Sequence, residues 1–190
     1  MKSKTTIFKY LLLMLVITVS ARAQYVLKPE KGYSHDIGTT VFMLENLKTR
    51  ITNNVKKLNK EQTDHLLVAD ANRIGAMIYH LAATEKWYQV YTFEGREFND
   101  EEKAKWDLAL NLGDPARKAL VNQPIEYYLQ IWDDVRKETL RLLKTKDDKW
   151  FDEKVKGDGD MNNYFAWFHV MEHQSNHMGQ IEMIKNRLPK

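Results

Sequence analysis

A long, regular spacing of apolar residues near the start of the chain constrains the fold more than any other feature of the sequence. Between residues 37 and 58, apolar side chains recur every three or four positions for about six helical turns. They are Ile37, Val41, Leu44, Leu47, Ile51, Val55 and Leu58. This period places them along one face of an α-helix. The pattern predicts one amphipathic helix from about Ser34 to Leu58, which must bury its apolar stripe against other elements.

Periodic apolar residues predict three further long helices, at 71–93, from Pro124 onward and at 162–187. Residues 94–123 are less regular, and Gly113-Asp114-Pro115 within them ends one short helix and begins another. No segment shows sustained alternation of apolar and polar residues, which a half-buried strand would require. We therefore predict an all-α fold, a four-helix bundle with a long irregular connection between its second and third main helices.

The first 23 residues predict a secretory signal peptide. Basic residues precede an apolar run at Tyr10–Val19, and Ala21-Arg22-Ala23 has the small-x-small pattern of a signal-peptidase site. The run is shorter than the ~20 apolar residues of a membrane-spanning helix. We predict cleavage before Gln24, export from the cytoplasm and no stable membrane insertion afterwards, with residues 24–190 forming a single domain. An uncleaved N-terminal anchor is the alternative interpretation.

Removal of this segment changes the charge balance of the chain. The full chain has 29 Lys+Arg against 26 Asp+Glu, a net charge of +3. Four of the basic residues and none of the acidic ones lie in residues 1–23, which leaves 25 against 26. A net charge near −1 predicts no basic surface of the kind that binds nucleic acid. The chain has no cysteine, so any metal ion must be held by His, Asp or Glu.

Four of the six histidines lie where a metal site could form. His169, His173 and His177 follow one another at intervals of four residues in the last helix. Such neighbours share a helical face, about 5–6 Å apart at Cβ, so either adjacent pair could bind one metal ion. His80 lies beside the apolar stripe of the second helix, and bundles build metal sites from facing helices. The alternative is a set of core histidines hydrogen-bonded to Glu172, tyrosines or backbone oxygens.

Two segments taken together resemble the DinB-like superfamily. Ile78–Tyr88 in the second helix is similar to that superfamily's His-Leu…Glu…Trp segment. Glu172–Ile181 in the last helix is similar to its His-x-x-x-His segment followed by Gly-Gln-Ile. The resemblance follows the order of the helices over nearly the whole mature chain.

The resemblance implies a metal site in a four-helix bundle, with one histidine from the second helix and two from the last. Carried over to this sequence, the ligands of the divalent metal ion are His80, His173 and His177, and His169 is a neighbour. We expect zinc, with nickel or iron as alternatives, because imidazole suits all three metals. Three protein ligands leave a position open for water or a thiol, as in catalytic sites.

The resemblance also implies a class of activity. The superfamily includes transferases and isomerases that use low-molecular-weight thiols such as mycothiol or bacillithiol, and bundles of this type commonly pair. We therefore expect an exported metal-dependent enzyme acting on a small molecule, such as a thiol-dependent transferase. A homodimer is a possible assembly of this protein. The alternative is a non-enzymatic bundle that binds a small molecule or metal, with a structural or silent site.

Two acids and a set of aromatic residues lie near these histidines in the sequence. Glu85 is about 140° round the helix from His80, and Glu172 precedes His173. A role in orienting a ligand is open to both, and the sequence favours solvent-facing positions for them. Nine aromatic residues could line a pocket at the site, although helical spacing favours core positions. They are Trp87, Tyr88, Tyr91, Phe93, Trp106, Trp132, Trp150, Tyr164 and Trp167.

Overall fold

The computed structural model describes residues 26–157 and 160–189. These ranges form eight α-helices and contain no β-strand. The helices are α1 (His35–Val55), α2 (Lys60–Thr63), α3 (Ile74–Gln89), α4 (Asp100–Asn111), α5 (Gly113–Ala119), α6 (Ile125–Leu143), α7 (Asp148–Asp152) and α8 (Asn163–Lys185). A π-helical turn, Val90–Glu94, continues α3 without a break. The prediction of an all-α fold is confirmed.

The four long helices, α1, α3, α6 and α8, form the bundle. α3 packs against both α6 and α8, and α1 packs against α8 and α6, so each long helix has two long neighbours. The short helices α4 and α5 lie within the irregular connection that the sequence predicts, and α4 packs against α3. The aromatic side chains of Trp132 and Trp167 are fully buried and belong to two different clusters of core residues.

The start of α8 is held by side chains that follow from its local sequence. Asn162 caps the helix by accepting a hydrogen bond from the backbone N–H of Phe165 at 2.8 Å. The Asn163 amide is buried and donates to the backbone carbonyl oxygens of Trp150 and Glu153, at 2.9 and 3.1 Å. These bonds fix the point from which the helix carrying His173 and His177 extends.

None of the helices in the described ranges is both long enough and apolar enough to cross a bilayer. The predicted signal peptide, residues 1–23, and its cleavage point before Gln24 lie outside the described residues. The division of the chain into a signal peptide and one domain therefore stays a prediction.

α3 and α6 approach each other closely at Gly75. A Cβ atom placed on Gly75 would overlap the ring of Tyr128 and lie 3.0 Å from Cγ2 of Thr63. Tyr128 is fully buried, so its ring could move away only by displacing other core side chains or by leaving the core. Gly75 therefore sets how closely the helix that carries His80 can pack against α6.

We expect Gly75→Ala to lower the free energy of unfolding by about 1–3 kcal/mol because of this overlap. The matched control is Gly179→Ala in α8, where an added Cβ meets nothing within 4 Å. That variant should gain up to ~1 kcal/mol from the better helix propensity of alanine. Urea unfolding followed by circular dichroism measures both changes. Equal effects of the two substitutions would show that packing at Gly75 is not tight.

Candidate metal centre

The structure brings His80, His173 and His177 into direct contact through their Nε2 atoms. The Nε2 atom of His173 lies 3.0 Å from that of His80 and 3.1 Å from that of His177. The candidate ligand atoms of the three residues all lie within 4.8 Å of one another. Nitrogen ligands at ~2.0–2.1 Å from a tetrahedral metal ion are about 3.3 Å apart. The three histidines could therefore hold a divalent metal ion with small adjustments of their rings.

Hydrogen bonds to the other ring nitrogens determine where the protons are. The Nδ1 atom of His80 lies 2.9 Å from the backbone carbonyl oxygen of Ala109 in α4, which can only accept. The Nδ1 atom of His177 likewise lies 2.9 Å from Oε1 of Gln180. A neutral imidazole carries one N–H, so both Nδ1 atoms donate and both Nε2 atoms present lone pairs.

A divalent metal ion fits this arrangement better than mutual hydrogen bonding does. The lone pairs of His80 and His177 both point at His173, and one Nε2–H of His173 could satisfy only one of them fully. A cation would accept all three nitrogens at once. The Nδ1 atom of His173 is buried and has no hydrogen-bond partner among the described residues, so no second partner fixes the tautomer of this ring.

Burial keeps the three imidazoles in the neutral form that binds metal. Burial, together with the charge that the neighbouring His177 would carry, lowers the pKa of His80 to about 4. Burial also lowers the pKa of His173 to about 3, together with the charges that His177, His80 and His169 would carry. The pKa of His177 is lowered by burial as well. No proton therefore needs to be displaced at neutral pH when a metal ion binds.

His169 lies one turn outside this group. Its ring is 6.0 Å from the ring of His173 and 5.9 Å from that of Tyr88, measured between centroids. Its Nδ1 atom is 3.5 Å from the carboxylate of Glu172, and both side chains are about half exposed. Of the two adjacent pairs that helical spacing allows, the structure thus joins the 173/177 pair to His80. The solvent-facing position predicted for Glu172 is confirmed.

The solvent-facing position predicted for Glu85 is wrong, because this carboxylate is fully buried. Arg136 of α6 donates to both of its oxygens, from Nε at 2.7 Å and from Nη2 at 2.9 Å. Trp132 and Thr139 donate to it as well, at 3.0 and 2.6 Å. Burial opposes ionisation of Glu85, but the charge of Arg136 and these hydrogen bonds hold the pKa of the carboxyl below its usual value.

The aromatic residues mostly lie in the core, as their spacing favours. Tyr88, Trp106, Trp132 and Trp167 are buried. Trp87 is partly buried and stacks on Tyr91, with 4.4 Å between ring centroids. The ring of Tyr88 contacts the ring of His169, which lies next to the three clustered histidines.

We expect the metal-free protein to become less stable as the pH falls from about 6.5 towards 4. The unfolded chain protonates its histidines near pH 6.5, whereas the folded chain protonates His80 and His173 only at about 4 and 3. Between these values the unfolded state binds more protons, so the free energy of unfolding decreases as protons are added. Above pH 6.5 these histidines are neutral in both the folded and the unfolded state. They then no longer make the free energy of unfolding depend on pH.

Urea unfolding of chelator-treated protein at pH 7.5, 6.0 and 5.0 measures this slope. The double substitution His80→Gln with His173→Gln removes both groups and should make the slope shallower. A slope that is the same in the wild-type protein and the double variant would contradict the assignment.

The chain's sequence matches a known protein family over a range that includes all three clustered histidines. Residues 39–189 of the 190-residue chain match the family described as mycothiol-S-transferase. No curated protein matches the chain in sequence. The match spans most of the chain and includes all three clustered histidines, so the DinB-like resemblance predicted from two segments is confirmed. The chain belongs to the mycothiol-S-transferase family, a DinB-like family.

Proposed function

We propose that this protein is a metal-dependent transferase that joins a low-molecular-weight thiol to an electrophilic small molecule. The observation that carries the proposal is the convergence of three histidine Nε2 atoms from two helices. Family membership supports the choice of a thiol as one substrate. Zinc is the metal that we propose, with nickel or iron as alternatives, because all three accept imidazole ligands.

His80, His173 and His177 are the proposed ligands. The Ala109 carbonyl and the Gln180 side chain hold the rings of His80 and His177 in the required tautomer. Within the described residues no Asp, Glu or further His joins the group, so the protein supplies three ligands, as in open catalytic sites. When bound, the metal ion would lower the pKa of a coordinated thiol, so that the thiolate is the reacting form.

The proposed reaction forms one carbon–sulfur bond. The thiol gives its proton to water, and its sulfur donates an electron pair to the electrophilic carbon of the second substrate. In a substitution, the leaving group departs with its bonding electron pair. In an addition, a proton returns to the substrate instead. Neither course needs an oxidant or a reductant.

One observation favours the alternative of a metal-binding bundle without catalytic activity. The described residues line at least four surface cavities of about 180 to 360 Å³, and His80, His173 and His177 line none of these four. A structural or silent metal site needs no substrate cavity beside it. The two proposals share the same ligands and differ in whether a thiol can reach the metal.

We expect the purified protein to bind one divalent metal ion per chain. Alanine substitution of His80, His173 or His177 should weaken metal binding by more than about 100-fold, since even indirect partners of ligands contribute 10–100-fold. His169→Ala is the matched control, because this histidine shares the same helical face but lies outside the group. Elemental analysis and chelator competition measure the effect. Stoichiometric metal in all three ligand variants would exclude the site.

We also expect the zinc-loaded protein to consume electrophiles only when a low-molecular-weight thiol is present. A panel of mycothiol, bacillithiol and cysteine with one alkylating electrophile tests this, with His173→Ala as the inactive control. In cobalt-substituted protein, a thiol that reaches the metal should change the visible absorption spectrum. Turnover that is indifferent to thiols would exclude the transferase function. If added thiols leave the visible spectrum of the bound cobalt unchanged, the result would favour the non-catalytic alternative.

A further inference from the structure

A buried polar cluster joins the two helices that carry the histidines. We call it the Glu85 cluster; its members are Glu85 of α3, Trp132, Arg136 and Thr139 of α6, and Gln174 of α8. Glu85, Arg136 and Gln174 expose 0%, 3% and 1% of their surface. Polar groups so deeply buried are stable only when their hydrogen bonds are made, which demands a defined geometry.

Gln174 makes the connection to α8 through both ends of its amide. Its Nε2 group donates to Oε2 of Glu85 at 3.2 Å, and its Oε1 atom accepts from Nη2 of Arg136 at 3.2 Å. A glutamine matches this pair because it offers one donor to the carboxylate and one acceptor to the guanidinium. A leucine or methionine of similar size would offer neither.

The cluster lies close in sequence to the candidate ligands on both helices. Gln174 directly follows His173 on α8, and Glu85 follows His80 by five positions on α3. Ring contacts show that the two helices run antiparallel here, since His80 lies beside His177 while Tyr88 lies beside His169. A shift of α8 along α3 would therefore change the cluster and the distances between the histidines together.

The tolerance for such a shift is small at both places. The two hydrogen bonds of Gln174 are already 3.2 Å long, and bonds of this kind are lost by about 3.6 Å. Metal ligands must be held within ~0.5 Å of their required positions. A slip by one residue along a helix would move the backbone by about 1.5 Å. The hydrogen bonds of the Glu85 cluster therefore limit a shift of α8 along α3 to about the distance that a metal site tolerates.

We propose that Gln174 is a positioning residue for the metal centre. Its hydrogen bonds to Glu85 and Arg136 fix the register of α8 against α3 and hold Nε2 of His173 against Nε2 of His80. This inference rests on the proposed metal-binding function. It assigns Gln174 a role in metal affinity beyond its contribution to stability.

The chain offers a matched control in Gln89. This glutamine is also buried, exposing 2% of its surface, and it lies at the other end of the same polar region. Its Nε2 group donates at 2.8 Å to both the carbonyl oxygen of Val135 and Oγ1 of Thr139. These bonds join α3 to α6. Gln89→Leu therefore removes the same kind of side chain but leaves in place both side chains to which Gln174 bonds, Glu85 and Arg136.

The experiment compares Gln174→Leu and Gln89→Leu in the full chain. Three quantities are measured: the Tm of the metal-free protein, the zinc Kd by chelator competition, and the visible spectrum of the cobalt-substituted protein. Both variants should lower the Tm. Only Gln174→Leu should raise the zinc Kd, by about tenfold, and shift the cobalt bands. Gln174→Met keeps an unbranched side chain and provides a second test if the leucine variant fails to fold.

Two results would overturn the inference. One is an unchanged zinc Kd in Gln174→Leu or, if that variant does not fold, in Gln174→Met. The other is an equal rise in Kd for the position 174 and position 89 variants, because the cluster would then act on the site only through overall stability. A wild-type protein that binds no zinc, nickel or iron would instead refute the proposed function itself, before any variant is compared.

Discussion

The ion pair between Glu85 and Arg136 is the interaction on which the arrangement of the bundle depends. The Arg136 guanidinium belongs to α6, and it donates to Glu85 of α3, to Gln174 of α8 and, at 2.8 Å from Nη1, to Glu45 of α1. One side chain thus contacts all the other long helices. A charge in the interior is tolerated only when it is paired and fully hydrogen-bonded, and removal of one partner typically costs about 3–5 kcal/mol. The observed arrangement of the four helices satisfies this charge, and a change in it would break one or more of these hydrogen bonds.

The candidate metal centre uses that arrangement. His80 comes from α3, and His173 and His177 come from α8, so the distances among their Nε2 atoms depend on how these two helices are aligned. The connection between the second and third main helices contributes as well, because α4 brings the Ala109 carbonyl to Nδ1 of His80. One of the short helices that interrupt the bundle pattern, α4, therefore sets the tautomer of one candidate ligand.

The sequence predicts features that follow from a pattern within one helix. It does not predict features that depend on contacts between two helices. Apolar periodicity is enough to find α1, and four-residue spacing is enough to place His173 and His177 on one face. Spacing could not choose between the two adjacent pairs, because the choice depends on which part of α8 faces His80. The sequence does not reveal the burial of Glu85 for a related reason. A charged residue is usually exposed, and the partner that makes burial of Glu85 tolerable, Arg136, lies 51 positions away. The Ala109 carbonyl has no sequence signal, since every residue has one.

The charge of the site connects its geometry to the proposed chemistry. All three candidate ligands are neutral imidazoles, and no carboxylate joins them within the described residues. Glu172 is about half exposed and lies beside His169, and the buried charge of Glu85 is compensated by Arg136. A divalent cation held by three neutral ligands would keep its full charge of about +2. The open position would then favour an anion over a neutral molecule, and a thiolate is the anion that the family relationship indicates.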